Sequence, residues 1–590
     1  MRIRSKLAWL ILLLAGGASF YGCSDVDDSG TKAKCNPDAV VSTRTDVDTS
    51  DCIAIDLSNP SSSDSRIVIS EDSDVLTIAI KSASAVCLSL SGSRDGGVKV
   101  KNSNNVDVDV ILNSITITSN SKSGFLKLNT GNDFWGNTYL VKLVGTSSIT
   151  GAASEDSKKV FDAEPNMGIV GDGTLNITAK YKTGIGCDDV LTVYSGNINI
   201  TVDRSAAAKT SGYEEKGFGI KVVNGFVMKG GTINISANDN ITSYESRGIK
   251  VDGSDETSCN TGKGYIRISG GTLTVSADAK ALTAGWEADE DATTSSTADD
   301  PYPDVEISGG TLNLTTTGTP RENSTNSLSP EGIEGKRNVK ISGGEIVVNA
   351  TDDAIQAGKY LEISGGKVFA RATQNDAIDS NSSILVSGGK TVAFGASEPE
   401  GGLDADNNSN VSYTGGLLVA IGGANNPPQG SGTTGSFVST SLGSSGSSGG
   451  MGNPGGMGGP GGGGSSALAG VTLALAADGS SDVIAAAKVP SDYVGGTNLL
   501  ILADGITSGS TYYIYQSPEL SPASLSWFND ALLLDSATFA GESTTSVTAG
   551  TAAGGGGRPG GNQGGPGGGD PPGGGGGPGG GGTPPGMPGQ

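Results

Sequence analysis

The chain has 590 residues, 96 of them glycine, with no histidine, six cysteines and only 5% aromatic residues. Its formal charge of −24 argues against nucleic acid and anionic lipid as partners, and the lack of histidine removes Ser-His-Asp catalysis, His-zinc sites and His pH switches. Any metal site must then be built mainly from oxygens, a donor set that favours calcium.

The N-terminus reads "MRIRSKLAWLILLLAGGASFYGCSDVDDSG", a basic start at Arg2, Arg4 and Lys6 followed by an apolar stretch from Leu7 to Leu14. That pattern predicts a secretory signal over residues 1–22. The stretch ending at Cys23 resembles a bacterial lipoprotein signal, with lipidation of Cys23 and attachment to a membrane only through that anchor. Ordinary secretion, with Cys23 a spare thiol, is the alternative. Residues 23–60 read as a polar, acidic tether that would lift the folded part off the membrane. Five cysteines remain after Cys23, namely Cys35, Cys52, Cys87, Cys187 and Cys259. An odd number cannot all pair internally, and Cys35 with Cys52 is one available pair. No Cys-x-x-Cys occurs, so thiol redox catalysis has no support.

From Val75 to Val144 the chain is strand-rich, with "VLTIAI", "VDVDVIL" and "LVKLVG" separated by turns. Farther on, glycine pairs at 230–231, 270–271, 309–310, 343–344, 365–366, 388–389 and 415–416 each close an apolar strand, and the last four are 22, 23 and 27 residues apart. After each pair comes a short alternating strand such as "TINISA", "TLTVSA" or "KVFARA". A period in the low twenties with several strands per period predicts an all-β fold, a parallel β-helix over residues 61–430. Gly-Gly would mark a corner needing a tight turn or positive φ. The longer spacings, 40, 39 and 34 residues, are turns with inserted loops at 251–264, 286–304 and 316–332. Solenoid insertions tend to cluster on one face, often the binding face.

Stacked turns bring equivalent residues together. Aligning the repeated acid-small-apolar-polar phrase puts Glu331, Asp353 and Asp376 in one column and Glu334, Gln356, Asp379 and Asp404 in a second, with Ile333, Ile355, Ile378 and Leu403 facing inward. Upstream, the first column holds Arg247 and Lys280, and the second Lys221 and Lys250, so one edge changes from basic to acidic. Carboxylates stacked a few ångströms apart repel by about 1–4 kcal/mol per pair, and a divalent cation would turn that repulsion into attraction. The competing reading is a solvated acidic edge that guards against aggregation. "DADNNSN" from Asp404, which includes Asp406, also places oxygen side chains at alternate positions, but lacks the sixth-position glycine and distal Glu of a calcium loop.

Residues 436–466 are dominated by glycine and cannot bury enough apolar surface to order themselves, so they read as a flexible insert. Residues 467–549 carry further β segments, "VTLALAA", "NLLILADG" and "STYYIY", expected to cap the open end of the solenoid. Residues 550–590 are Gly-Pro-rich and read as a disordered tail.

The run "IVGDGTLNITAKYKTGIGCDDVLTVYSGNINITV", the phrases "KGGTINISA" and "ISGGTLTVSA", and "NDAIDSNSSILVSGG" resemble a bacterial carbohydrate-binding family with a polysaccharide-lyase-like (pectate-lyase-type) β-helix. The resemblance runs from about Ser65 to Gly423. It implies a right-handed helix, bound calcium, and binding of cellulose or polygalacturonate at the cell surface, without demonstrated cleavage. On the matching turns Asp353, Asp376, Asp379 and Asp404 would be the calcium-side carboxylates.

Three functions follow as alternatives. As a monomeric binding protein, calcium on the acidic columns would bridge to uronate carboxylates, while Lys221, Arg247, Lys250 and Lys280 could meet such carboxylates directly. Trp135, Trp286 and Tyr302 could stack on sugar faces or simply pack within their loops. As a lyase, β-elimination would need calcium and a basic side chain, with Arg321, Lys336 and Arg337 nearest the acidic columns in sequence. As an adhesin or surface-layer protein, the chain would show protein association and no glycan specificity.

Overall fold

Along most of the chain apolar and polar residues alternate, which in an extended segment sends one set to each face. The computed structural model describes residues 44–120, 123–130, 138–205, 216–238, 245–253, 264–285, 304–321, 328–405, 410–442, 466–542 and 545–551. Cys23, Cys35, Trp135, Cys259, Trp286, Tyr302 and Asp406 lie outside them, as do residues 1–43, 443–465 and 552–590. Among the described residues there is no α-helix, only one 3₁₀ turn at Glu155–Ser157.

The strands stack into three parallel ladders, and the chain visits them in a fixed order. The first ladder begins with Cys52–Asp56, Val86–Ser91 and Val108–Asn113 and continues through Val190–Val193, Gly225–Met228 and Tyr265–Ile268. The second includes Thr146–Thr150, Thr174–Ala179, Asn197–Val202, Thr232–Ala237 and Thr272–Ala277. The third runs from Val75–Ile80 through Lys216–Val222, Glu245–Val251, Leu282–Ala284, Ile333–Gly335, Ile355–Ala357 and Ile378–Ser380 to Gly401–Ala405. Their inward residues form one continuous core, in which Ile333, Ile355, Ile378 and Leu403 are fully buried. Each such side chain contributes about 1.5–3 kcal/mol on burial.

The glycine pairs do not end strands in the later turns. Val305–Thr316, Asn338–Ala350, Tyr360–Ala372 and Ser383–Phe394 run through them, serving the first ladder before the pair and the second after it, with a register shift at the bend. The second glycine supplies the positive φ, 90° at Gly344 and 80° at Gly366. The first must approach the turn below, since a Cβ on Gly365 would lie 2.1 Å from the Ser342 carbonyl oxygen.

The insertions leave from two corners rather than one. Residues 254–263 and 286–303 connect the third ladder to the first, whereas residues 322–327 connect the second to the third.

The C-terminal strands join the same body. Asn498–Ala503 pairs antiparallel with Leu417–Gly422 at the end of the second ladder, and Ser436–Ser441 pairs with Asn498–Ala503 on its other side. That last strand begins the stretch whose composition predicts a flexible insert; its consecutive Phe437 and Val438 point to opposite faces, Phe437 toward the solenoid core and Val438 buried in the core shared with the C-terminal sheet. A second sheet, built on Thr472–Ala477, Ala485–Lys488 and Thr511–Gln516, packs through Leu473, Leu475 and Tyr493 against Phe369, Val392 and Phe394 on the outer face of the second ladder. Cys52 pairs with Cys87 rather than with Cys35, the pairing that sequence spacing made available. Those two residues are register partners in adjacent strands of the first ladder, a proximity that only the stacking creates. Cys187 is buried and free.

Candidate functional site

The third ladder places the charged columns in the register that the repeat predicts. Glu334 faces Gln356, Gln356 faces Asp379, and Asp379 faces Asp404. Earlier in that column Lys221 faces Lys250, Lys250 faces Thr283, and Thr283 faces Glu334. Two residues before each inward Ile or Leu come Arg247, Lys280, Glu331, Asp353 and Asp376, which form the other column. Their closeness is direct: the Asp376 amide donates to Asp353 Oδ1 at 3.0 Å.

The columns divide into two regimes. In the basic-to-acidic transition every charge is already met within the protein. Lys280 Nζ lies 2.7 Å from Glu331 and 2.8 Å from Glu334, and Lys336 Nζ lies 2.7 Å from Glu334. Burial pushes the Glu334 carboxyl up, but Lys280 and Lys336 outweigh it and hold the group well below the usual carboxylate range. Glu331 pairs with Lys280, and burial with the neighbouring Glu334 charge pushes it up to about 7. Farther back, Lys221 and Lys250 share Asp252 at 2.8 and 3.5 Å, and Arg247 pairs with Glu245 at 2.8 Å.

Past Gln356 the second column is acidic, with Asp379 and then Asp404. Asp376, Asp379 and Asp404 can each turn one oxygen so that all three lie within 4.8 Å of one another. Burial, then the Asp404 and Asp379 charges, push Asp376 up to about 9, although the Gly401 amide donates to it. Asp353 is raised well above its ordinary value by burial and by the charges of Asp379, Asp352 and Asp376. Such shifts record buried carboxylates crowded by like charges. The donor set is all oxygen, the chemistry of a hard divalent cation.

Reasoning from sequence missed several contributors. Asp352 accepts from Asn375 Nδ2 at 2.7 Å, and burial raises it. Glu400 is raised by burial and by the Asp404 charge. Asn426 Nδ2 donates to Asp404 Oδ1. Asp352 precedes Asp353 in the repeated phrase and was legible; Glu400 and Asn426 reach the cluster only through the looser final turn.

No curated protein matches this chain. A solved polysaccharide lyase-like protein from C. thermocellum, studied as a gadolinium derivative, is 17% identical and aligns over 44% of this chain and 90% of its own, with a TM-score of 0.31. A family model of carbohydrate-binding domain-containing proteins matches residues 72–377, more than half of the chain, and the chain belongs to that family.

Proposed function

We propose that this protein is an exported carbohydrate-binding protein that holds calcium on its acidic edge and uses it to bridge to the carboxylates of an acidic polysaccharide. The observation that carries the reading is the convergence of Asp376, Asp379 and Asp404, whose oxygens come within 4.8 Å of one another. Asp353, hydrogen-bonded to the Asp376 amide, stands next in the file. The reading narrows to these four because Lys280 and Lys336 already neutralise Glu331 and Glu334. Calcium accepts six to eight oxygens, so three or four carboxylates leave positions for uronate oxygens.

Membership of a carbohydrate-binding family favours binding over cleavage. Of the side chains considered as an elimination base, Lys336 is tied to Glu334. Export is supported by the Cys52–Cys87 disulfide, since such bonds persist in oxidising compartments. Lipidation of Cys23 belongs to the same proposal.

Calorimetry with polygalacturonate, in calcium and in chelator, tests the reading. Binding in calcium alone is expected. No binding in either condition removes it, and an unsaturated product absorbing in the ultraviolet would replace it with a lyase.

A further inference from the structure

The outer face of the second ladder carries a regular polar grid. One file runs through Asn176, Asn199, Asn234, Thr274 and Asn313, each the register partner of the next. Its amides link along the axis, Asn199 Nδ2 to Asn176 Oδ1 and Asn234 Nδ2 to Asn199 Oδ1, both at 2.9 Å. A parallel file includes Thr174, Thr232, Thr272 and Thr311. Groups recur about every 4.8 Å along the axis and about 6.6 Å across it. The next turns replace the asparagine file with Val347, Phe369 and Val392, which the C-terminal sheet covers.

Where the grid meets that sheet there is a cleft of about 310 Å³. Thr311, Asn313, Glu345 and Lys367 line one wall, Trp527 and Asn529 the other. The second wall is well fixed. Phe528, Asn529, Asp530 and Ala531 form a tight turn, with φ of 47° and 51° at the two central residues and Ala531 N donating to Phe528 O at 2.9 Å. Positive φ at both positions is a type I′ turn. Lys488 Nζ sits 4.2 Å from the centre of the Trp527 ring and is itself held by Asp530 at 2.6 Å. Lys390 Nζ donates to the Leu534 carbonyl at 2.8 Å, fastening the wall to the ladder.

The charges here cancel in pairs: Lys367 with Glu345 at 2.7 Å, Lys488 with Asp530. The cleft therefore offers an aromatic ring, amides and a hydroxyl with no net charge to recruit an anion. That combination suits a sugar ring, whose C–H face packs on an aromatic while its hydroxyls meet amide donors and acceptors.

We propose that this cleft is a binding subsite for a neutral pyranose unit, with Trp527 as its platform and Asn313, Asn529 and Thr311 as hydrogen-bonding partners, and that the amide–hydroxyl grid carries the rest of an extended glycan chain. The inference rests on the carbohydrate-binding reading but differs from it in place and in needing no cation.

Cellohexaose titrated into the full chain by calorimetry, with calcium and with chelator, tests it, with polygalacturonate run in parallel. Equal binding of cellohexaose in both conditions is expected. Trp527→Ala should weaken it at least about ten-fold, with Trp527→Phe retaining most of it. Because Trp527→Ala could disturb the turn, Asn313→Ala, on an exposed ladder position, provides a second reading and should weaken binding several-fold. Absent cellohexaose binding, or equal affinity in Trp527→Ala and Asn313→Ala, overturns the inference. If polygalacturonate still binds in calcium, the acidic-edge reading survives that failure. If cellohexaose alone binds, the subsite stands and the calcium bridge falls.

Discussion

Asp379 and Asp404 are register partners on adjacent turns of the third ladder, directly beside the fully buried Ile378 and Leu403. Backbone pairing holds the two residues side by side on the same face of the ladder. Like charges about 4 Å apart repel by about 1–4 kcal/mol between bulk-water and near-surface dielectric. Asp379→Asn should therefore raise the melting temperature in chelator while removing most of the stabilisation that calcium adds. Thermal scans in both conditions check this, and a lower melting temperature in chelator would contradict it.

Acidity gives a second expectation. The Asp376 carboxyl is pushed from 3.8 up to about 9 in the folded protein, mainly by burial and then by Asp404 and Asp379. Between those values the folded state holds a proton that the unfolded state has lost. Stability without calcium is then greatest below about pH 4 as far as this group is concerned, and declines as pH rises toward about 9. Calcium should flatten that decline by replacing the proton. Urea midpoints across pH 5 to 9, with and without chelator, read the slope.

Lys280 neutralises two buried carboxylates at once, Glu331 and Glu334. Lys280→Met removes the Lys280 contacts to both carboxylates, and Glu334 keeps its pair with Lys336. Removing one partner of a buried ion pair costs about 3–5 kcal/mol. The variant should unfold at clearly lower denaturant, and part of the loss should return at low pH, where Glu331 takes up a proton. A loss independent of pH would contradict the electrostatic cause.

The Cys52–Cys87 disulfide closes a loop with a sequence separation of 35 residues near the start of the first ladder. Loop-closure entropy gives it about 3–4 kcal/mol. Cys52→Ser with Cys87→Ser should lower stability by up to that amount and leave calcium binding unchanged, because the acidic cluster lies at the far end of the third ladder. Loss of calcium binding in a folded double variant would show coupling along the solenoid.

Much of the site was legible because a repeat of about two dozen residues converts sequence spacing into spatial neighbours. Aligning "TDDAIQ" with "QNDAID" suffices to place Asp353 beside Asp376 and Gln356 beside Asp379. The partners that neutralise Glu334 were harder to see. Lys336 follows it two residues later, and Lys280 reaches it from the previous turn across a long insertion. The Cys52–Cys87 contact also crosses one irregular turn, where no repeated phrase marks the register. The cleft at Trp527 was invisible for a different reason. It forms between two parts of the chain with unrelated patterns, and only the packing of the C-terminal sheet on Phe369 and Val392 brings Trp527 to Asn313.

Direct calcium titration by calorimetry, comparing the wild-type chain with the Asp379→Asn and Asp404→Asn double variant, tests the acidic edge most directly. The account predicts a binding event in the wild type that weakens at least about ten-fold in the variant, a difference of about 1.4 kcal/mol or more. Equal calcium affinity in the two proteins, or no calcium binding by the wild type, would contradict it.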